Sequence, residues 1–157
     1  MPKSSITPPL AVSNESRIDT SYLQTLLGYN ARRAALNIIK VFLVRMKPFQ
    51  LRPVDFSVLS VIAHNPGVTS RQLCNVLDIL PPNFVAMLMG LEKRSLVERR
   101  AHPSDKRAQT LHLTEAGQTL MREAEMTAAQ LEMDATSKLS AKERQTLISL
   151  LQKVYLP

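Results

Sequence analysis

Cysteine occurs once, at Cys74, so the chain can build neither an internal disulfide nor a thiolate metal centre. That usage fits a reducing, cytoplasmic compartment. Glycine is also scarce, with four in 157 residues, which suits long helices better than a sandwich of many turns. The longest stretch without Asp, Glu, Lys or Arg covers residues 56–70 and includes His64, Asn65 and Pro66. It falls short of the roughly 20 apolar residues a spanning helix needs, so no membrane partner is expected. The N-terminal "MPKSSITPPLAVSNES" has no long apolar core for a signal peptide. With three prolines and four serines it reads as part of a disordered arm over 1–18. The three histidines, 64, 102 and 112, show no metal-ligand spacing. A Gly-rich phosphate loop and a Gly-x-Ser-x-Gly elbow are both missing. No enzyme and no cofactor are expected.

Positive charge is plentiful. Lys and Arg number 20 against 13 Asp and Glu, for a formal charge of +7 and an isoelectric point near 9.9. Such a balance favours polyanions, nucleic acid first. Hydrophobic residues make up 45% and charged residues 21%, the mix of a folded single domain with a real core.

Apolar residues recur with a period near 3.6 from Leu23 to Met46, predicting one long helix within 19–48, capped by Asp19 and ended by Pro48. About 28 residues would run roughly 42 Å, longer than a small domain needs. "RPVDFSVLSVIAHNPG" predicts a second helix, with Pro53 in its first turn. Thr69 and Gln72 have capping-box spacing before a short helix whose Leu73, Val76 and Leu77 face inward. After a break at Asp78–Leu80, "PPNFVAMLMGLEKRSL" forms another helix with Phe84, Met87, Leu88 and Leu91 as its buried stripe. "LVERR" and "QTLHL" then alternate as strands of a two-stranded hairpin. Thr114 caps a long helix, and Ser140 with Glu143 boxes a last one. The fold class is mainly α with a small β-hairpin. A winged helix-turn-helix over 53–114 is flanked by long helices over 19–48 and 115–157, whose surplus apolar faces suit burial in a partner.

A helix-turn-helix presents its second helix to the DNA major groove. Residues 81–94 would recognise, and Thr69, Ser70 and Arg71 would support from the helix before. Residues 93–107 carry six cations (Lys93, Arg94, Arg99, Arg100, Lys106, Arg107) against Glu98 and Asp105, a net +4 on the wing side. That concentration suits phosphate contact. A wing-tip arginine, Arg107, could enter the minor groove, aimed by the Asp105 carboxylate two residues earlier, with Ser104 beside them. On the recognition helix, Asn83 alone could make a bidentate contact, most naturally to adenine. Pro82, Val85, Ala86 and Met89 are apolar, so direct readout should be poor in hydrogen bonds.

"SLVERRAHPSDKRAQTLHLTEAG" resembles the wing of the multiple-antibiotic-resistance regulator (MarR) family of transcription factors. The family pattern, Asp-x-Arg, a short strand, then Leu-Thr-x-x-Gly, falls on Asp105, Arg107, Leu111, Leu113, Thr114 and Gly117. "RPVDFSVLSVIAHNPGVTSRQLCNVLDI" matches the family's second and third helices, and the resemblance spans about 20–155. It implies an obligate homodimer, joined through the first and the last two helices, on a pseudo-palindromic operator of double-stranded DNA. It also implies a repressor released by a small ligand, commonly an aromatic carboxylate. The recognition helix departs from the family's usual Ser, Thr or Arg-rich surface.

Such a ligand needs an apolar slot with a cation and hydrogen-bond donors. Tyr22, Tyr29, Arg33 and Asn37 on the first helix, with His64 beyond it, are the candidates; Arg33 lies four residues after Tyr29 and shares its face. Arg33 could equally form an ion pair between subunits. Cys74 reads as a small buried hydrophobe, with oxidant sensing as the alternative. Met87, Met89, Met121, Met126 and Met133 read as core or interface filler. The competing reading of the whole chain is a winged-helix module that binds protein, which a flat salt dependence would reveal.

Overall fold

Capping chemistry and proline set the starts of five α-helices. A computed structural model describes residues 18–105 and 108–156. The chain divides into two compact units, one ending at Arg33 and one beginning at Ala34.

In the first unit the expected continuous helix is broken. A four-residue helix α1 (Ser21–Gln24) stops before α2 (Leu27–Arg45) begins. Local polar side chains explain the break. The Thr25 hydroxyl donates to the Tyr22 carbonyl at 2.7 Å, and the Asn30 amide donates to the carbonyls of Gln24 and Leu26, both at 2.8 Å. Such bonds satisfy the backbone outside the helical ladder. Asp19 does accept from the Ser21 N–H at 2.8 Å, although Thr20 occupies the cap position. α2 ends at Arg45, and Pro48 sits in a 3₁₀ turn (Lys47–Phe49) closed by left-handed Gln50.

In the second unit, α3 (Pro53–His64) opens with Pro53 in its first turn as expected. Its Asp55 carboxylate accepts from the Arg52 backbone N–H at 3.1 Å and from the Arg52 guanidinium at 2.8 Å twice. Asp55 is buried, and burial alone would raise its carboxyl. The hydrogen bonds and charge of Arg52, with the charge of Arg94, outweigh that and hold it below the ordinary carboxylate range. Thr69 and Gln72 form the expected capping box on α4 (Ser70–Val76), and Thr114 and Ser140 cap α6 (Glu115–Ala135) and α7 (Ala141–Tyr155).

The expected two-stranded hairpin is a three-stranded antiparallel sheet. β2 (Val97–Ala101) and β3 (Gln109–Leu113) form the hairpin, and β1 (Val68–Thr69) pairs with the other edge of β3. Val68 lies opposite Leu111, and Arg99 faces Leu111 from the other side. Two residues carry no period, so β1 is invisible to pattern reading. Leu111 and Leu113 point into a core built from Val58, Leu59 and Ile62 of α3, Leu73 and Cys74 of α4, and Met121, Ala124 and Leu131 of α6. Phe42 of α2 meets Phe56 of α3 edge to face at 5.7 Å. Asn37 donates to the Ala135 carbonyl at 3.3 Å, and Arg45 pairs with Asp134 at 3.0 Å, tying the later part of α2 to the end of α6.

Gly117 is required by a close approach. A Cβ there would lie 2.1 Å from the Leu96 carbonyl oxygen. Thr114 completes that joint: its hydroxyl donates to Ser95 O at 2.6 Å and accepts from Gly117 N–H at 3.0 Å. The Leu-Thr-x-x-Gly pattern is thus the hinge-pin between the sheet and α6. No single helix among the described residues is long and apolar enough to cross a membrane.

Candidate nucleic-acid interface

α5 (Pro81–Lys93) follows α4 after a tight turn, and the two helices bend by 117° across it. That is the geometry of a helix-turn-helix. The turn depends on Asp78, left-handed at φ 51°, and on the Ile79 N–H reaching back to Cys74 O at 2.9 Å. Asp tolerates this conformation better than most non-glycine residues.

α5 is anchored by Phe84, Leu88 and Leu91, all buried as expected, with Met87 half-buried. At about 100° per residue, Pro82, Ala86, Met89 and Lys93 fall on the opposite side. All four are exposed, as are Asn83 and Val85 on the flanks. Val76 does not face inward as expected; it is 66% exposed. Leu73 and Cys74 are the buried residues of α4, and the buried arc they define is centred away from Val76. Thr69 and Ser70 are half-buried and Arg71 is exposed. The Thr69 hydroxyl is engaged with Gln72, donating to its Oε1 at 2.9 Å.

Among the described residues, three of the four wing-side cations, Arg94, Arg99 and Arg100, are partnered within the chain. Arg99 donates to both carboxylate oxygens of Glu92 on α5, at 2.5 and 3.1 Å. Hydrogen bonding to Glu92 holds its guanidinium more firmly protonated than usual, against a smaller effect of burial. Arg100 donates to Glu98 Oε1 at 2.8 and 2.6 Å. Arg94 donates to the carbonyls of Gln50 and Phe49 at 2.9 and 2.7 Å. Sequence reading counted these as charge and missed Glu92, whose link to Arg99 couples the wing to the helix. The seven-residue separation and the change of element leave no local signal for that pair. At the wing turn, the His102 ring nitrogen Nδ1 accepts from the backbone N–H groups of Ser104 and Asp105, at 3.3 and 3.2 Å. Lys106 and Arg107 lie outside the described residues, as does most of the 1–18 arm.

The candidate ligand residues fall in separate units. Tyr22, Tyr29 and Arg33 belong to the first; Asn37 and His64 belong to the second. His64 lines a cavity of about 430 Å³ with Arg100, His112, Met121, Arg122 and Glu125. Glu125 accepts from the Ser60 hydroxyl at 2.9 Å and meets His64 Nε2 at 3.0 Å. Arg122, His112 and Glu125 were not foreseen, because they converge only through the packing of α3, β3 and α6. Cys74 is buried, as expected of a small apolar residue. Met121 is in the core, while Met126 and Met133 are exposed. Among the described residues, no group of three or more His, Cys, Asp or Glu side chains is placed to hold a metal ion.

Comparison with known proteins decides the family. The MarR family profile matches residues 49–108. A proposed transcriptional regulatory protein for the hcr operon of Thauera aromatica is 30% identical over 130 residues, covering 82% of this chain and 78% of that one. The chain belongs to the MarR family. Among solved structures, the transcriptional repressor CouR bound to a 23-mer DNA duplex is 38% identical, with a TM-score of 0.83 over 88% of this chain and 99% of that one. CouR bound to p-coumaroyl-CoA is 36% identical, with a TM-score of 0.79 over 88% and 98%. This MarR-family chain therefore has the winged-helix fold of DNA-binding transcriptional regulators, and its Thr114 and Gly117 joint is the physical content of the family motif.

Proposed function

We propose that this chain is a homodimeric repressor whose α5 enters the major groove of a pseudo-palindromic operator. The observation that carries the reading is the helix-turn-helix itself: α5, set at 117° to α4, is held by its buried stripe with the opposite face open. Thr69, Ser70 and Arg71 approach the backbone beside it. Arg99, Arg100, Ser104, Asp105, Lys106 and Arg107 serve the wing, with Arg99 and Arg100 stiffened by their acidic partners. At the wing Arg107 reaches the minor groove, aimed by Asp105. Two such subunits join through α1, α2, α6 and α7.

The effector is an aromatic carboxylate or its coenzyme A thioester. Support comes from the p-coumaroyl-CoA ligand of CouR and from the cavity beside His64, where Arg100 and Arg122 offer cations and Met121 an apolar wall. Arg100 also lies on a wing strand, so a ligand drawing on it would disturb the wing.

The test is capture of genomic DNA, followed by binding titrations on the recovered duplex at several salt concentrations. Affinity should fall about 0.9 log units per log unit of salt for each phosphate neutralised. Arg107→Ala should weaken binding and reduce that slope by about one, and Asp105→Ala should also weaken it, despite removing a negative charge. Addition of p-coumaroyl-CoA, or of free aromatic acids, should release the DNA. The exposed apolar side chains of α5 favour one second reading, a winged module that docks on protein; a flat salt dependence with no duplex preference would select it.

A further inference from the structure

The outward face of α5 is unusual for a helix that meets a polyanion. Val85 and Met89 are 54% and 60% exposed, and Leu80, just before the helix, is 69% exposed. Pro82 and Ala86 extend the same surface, and Asn83 is its one polar residue before Lys93. An exposed apolar set on a helix that already buries its opposite side marks a contact surface.

The occupant follows from the fold and from the chemistry of base edges. CouR, 38% identical with the same fold, is bound to a DNA duplex. In the major groove, base edges offer hydrogen-bond donors, acceptors and a single apolar group, the C5 methyl of thymine. Val85, Met89, Pro82 and Ala86 have no side-chain donor or strong acceptor to offer. Pressing them on a polar base edge would strip its water without replacement. Thymine is the base they fit. Asn83 fits adenine, through N6 and N7, and so points to the same kind of pair.

Gly90 is a second, independent observation. A Cβ added there meets nothing within 4 Å, so the chain's own packing does not call for glycine. Glycine in a helix interior is unfavourable relative to alanine. A missing side chain on an exposed helix does serve close approach to another surface.

We infer that α5 reads its half-site through thymine methyl groups, with Val85 and Met89 as the main contacts, Pro82 and Ala86 beside them, and Asn83 holding one adenine. The inference rests on the operator-binding reading above and names its specificity.

Replacing thymine by uracil deletes the methyl and leaves every hydrogen-bonding group. The test titrates the full-length dimer against the captured operator, with each thymine of one half-site replaced by uracil in turn, at constant salt. Two or more positions should each lose about threefold to fivefold in affinity, the value of one buried methyl-sized group. Val85→Ser or Met89→Ser should abolish the uracil penalty at one position while leaving the salt slope unchanged. If every uracil duplex binds as tightly as the thymine duplex while specific binding persists, methyl readout is wrong and the repressor reading stands. If no duplex is preferred over random sequence, the repressor reading falls and the inference with it. The duplex series uses the unaltered protein, so it does not depend on any variant folding.

Discussion

α5 and α7 both hold apolar side chains in solvent, but for different reasons. α5 buries Phe84, Leu88 and Leu91 on one side and shows Val85 and Met89 on the other. α7 buries nothing: Leu147, Ile148, Leu150, Leu151, Val154 and Tyr155 are all exposed. A helix of 15 residues is marginal in water without a packed face. α7 is therefore incomplete in a single chain, whereas α5 is complete and displays what remains. On the reading proposed above, exposed apolar area serves assembly on one helix and recognition on the other, and the buried stripe tells them apart.

That contrast can be broken most directly at α7. Truncation after Leu139 should yield monomeric or insoluble protein in light scattering behind size exclusion; a well-behaved truncated dimer would show that α7 has no share in assembly. The next effect concerns what anchors the recognition side. Gly117→Ala forces a methyl against the Leu96 backbone and should cost about 3 kcal/mol in chemical denaturation, the upper part of the overpacking range. Operator affinity should fall with it, because the sheet carrying the wing is pinned at that joint.

A smaller effect belongs to Asp55. Its carboxyl is lowered in the folded chain, so its contribution is complete above the ordinary value of about 3.9 and disappears as pH falls through the lowered value. Asp55→Asn should cost about 1–2 kcal/mol near neutrality, since it removes hydrogen bonds to a charged partner. It should also flatten the acid limb of the stability profile, measured by denaturation between pH 2 and pH 7 at about one-unit steps. Gly90→Ala sharpens the contrast most finely. It should stabilise the fold by about 0.8–1 kcal/mol yet weaken operator binding, two readouts moving in opposite directions. If both improve, Gly90 is not kept for close approach.

Much of the recognition side was legible before the structure. The inward stripe of α5 followed from its period, and its outward residues from the same count. Besides the local break between α1 and α2, what escaped was whatever joins distant segments. Arg99 reads as a free cation until Glu92, on another element, is brought to it. Val76 reads as core by spacing, but in a two-turn helix the inward arc is narrow and Leu73 and Cys74 occupy it. The cavity beside His64 needs four elements, α3, β2, β3 and α6, that no local pattern relates.

By itself the sequence determined where α3 to α7 begin and most of what they hide. Thr69, Thr114 and Ser140 cap through residues three positions away, and Pro53 and Pro81 open helices, because these interactions close within one turn of chain. Tertiary structure alone decided the β1 edge, the Glu92–Arg99 tie, the burial of Asp55 beside Arg52 and the tight seat of Gly117 on Leu96. Each depends on a distance set by packing between elements, and a packing distance has no period along the chain.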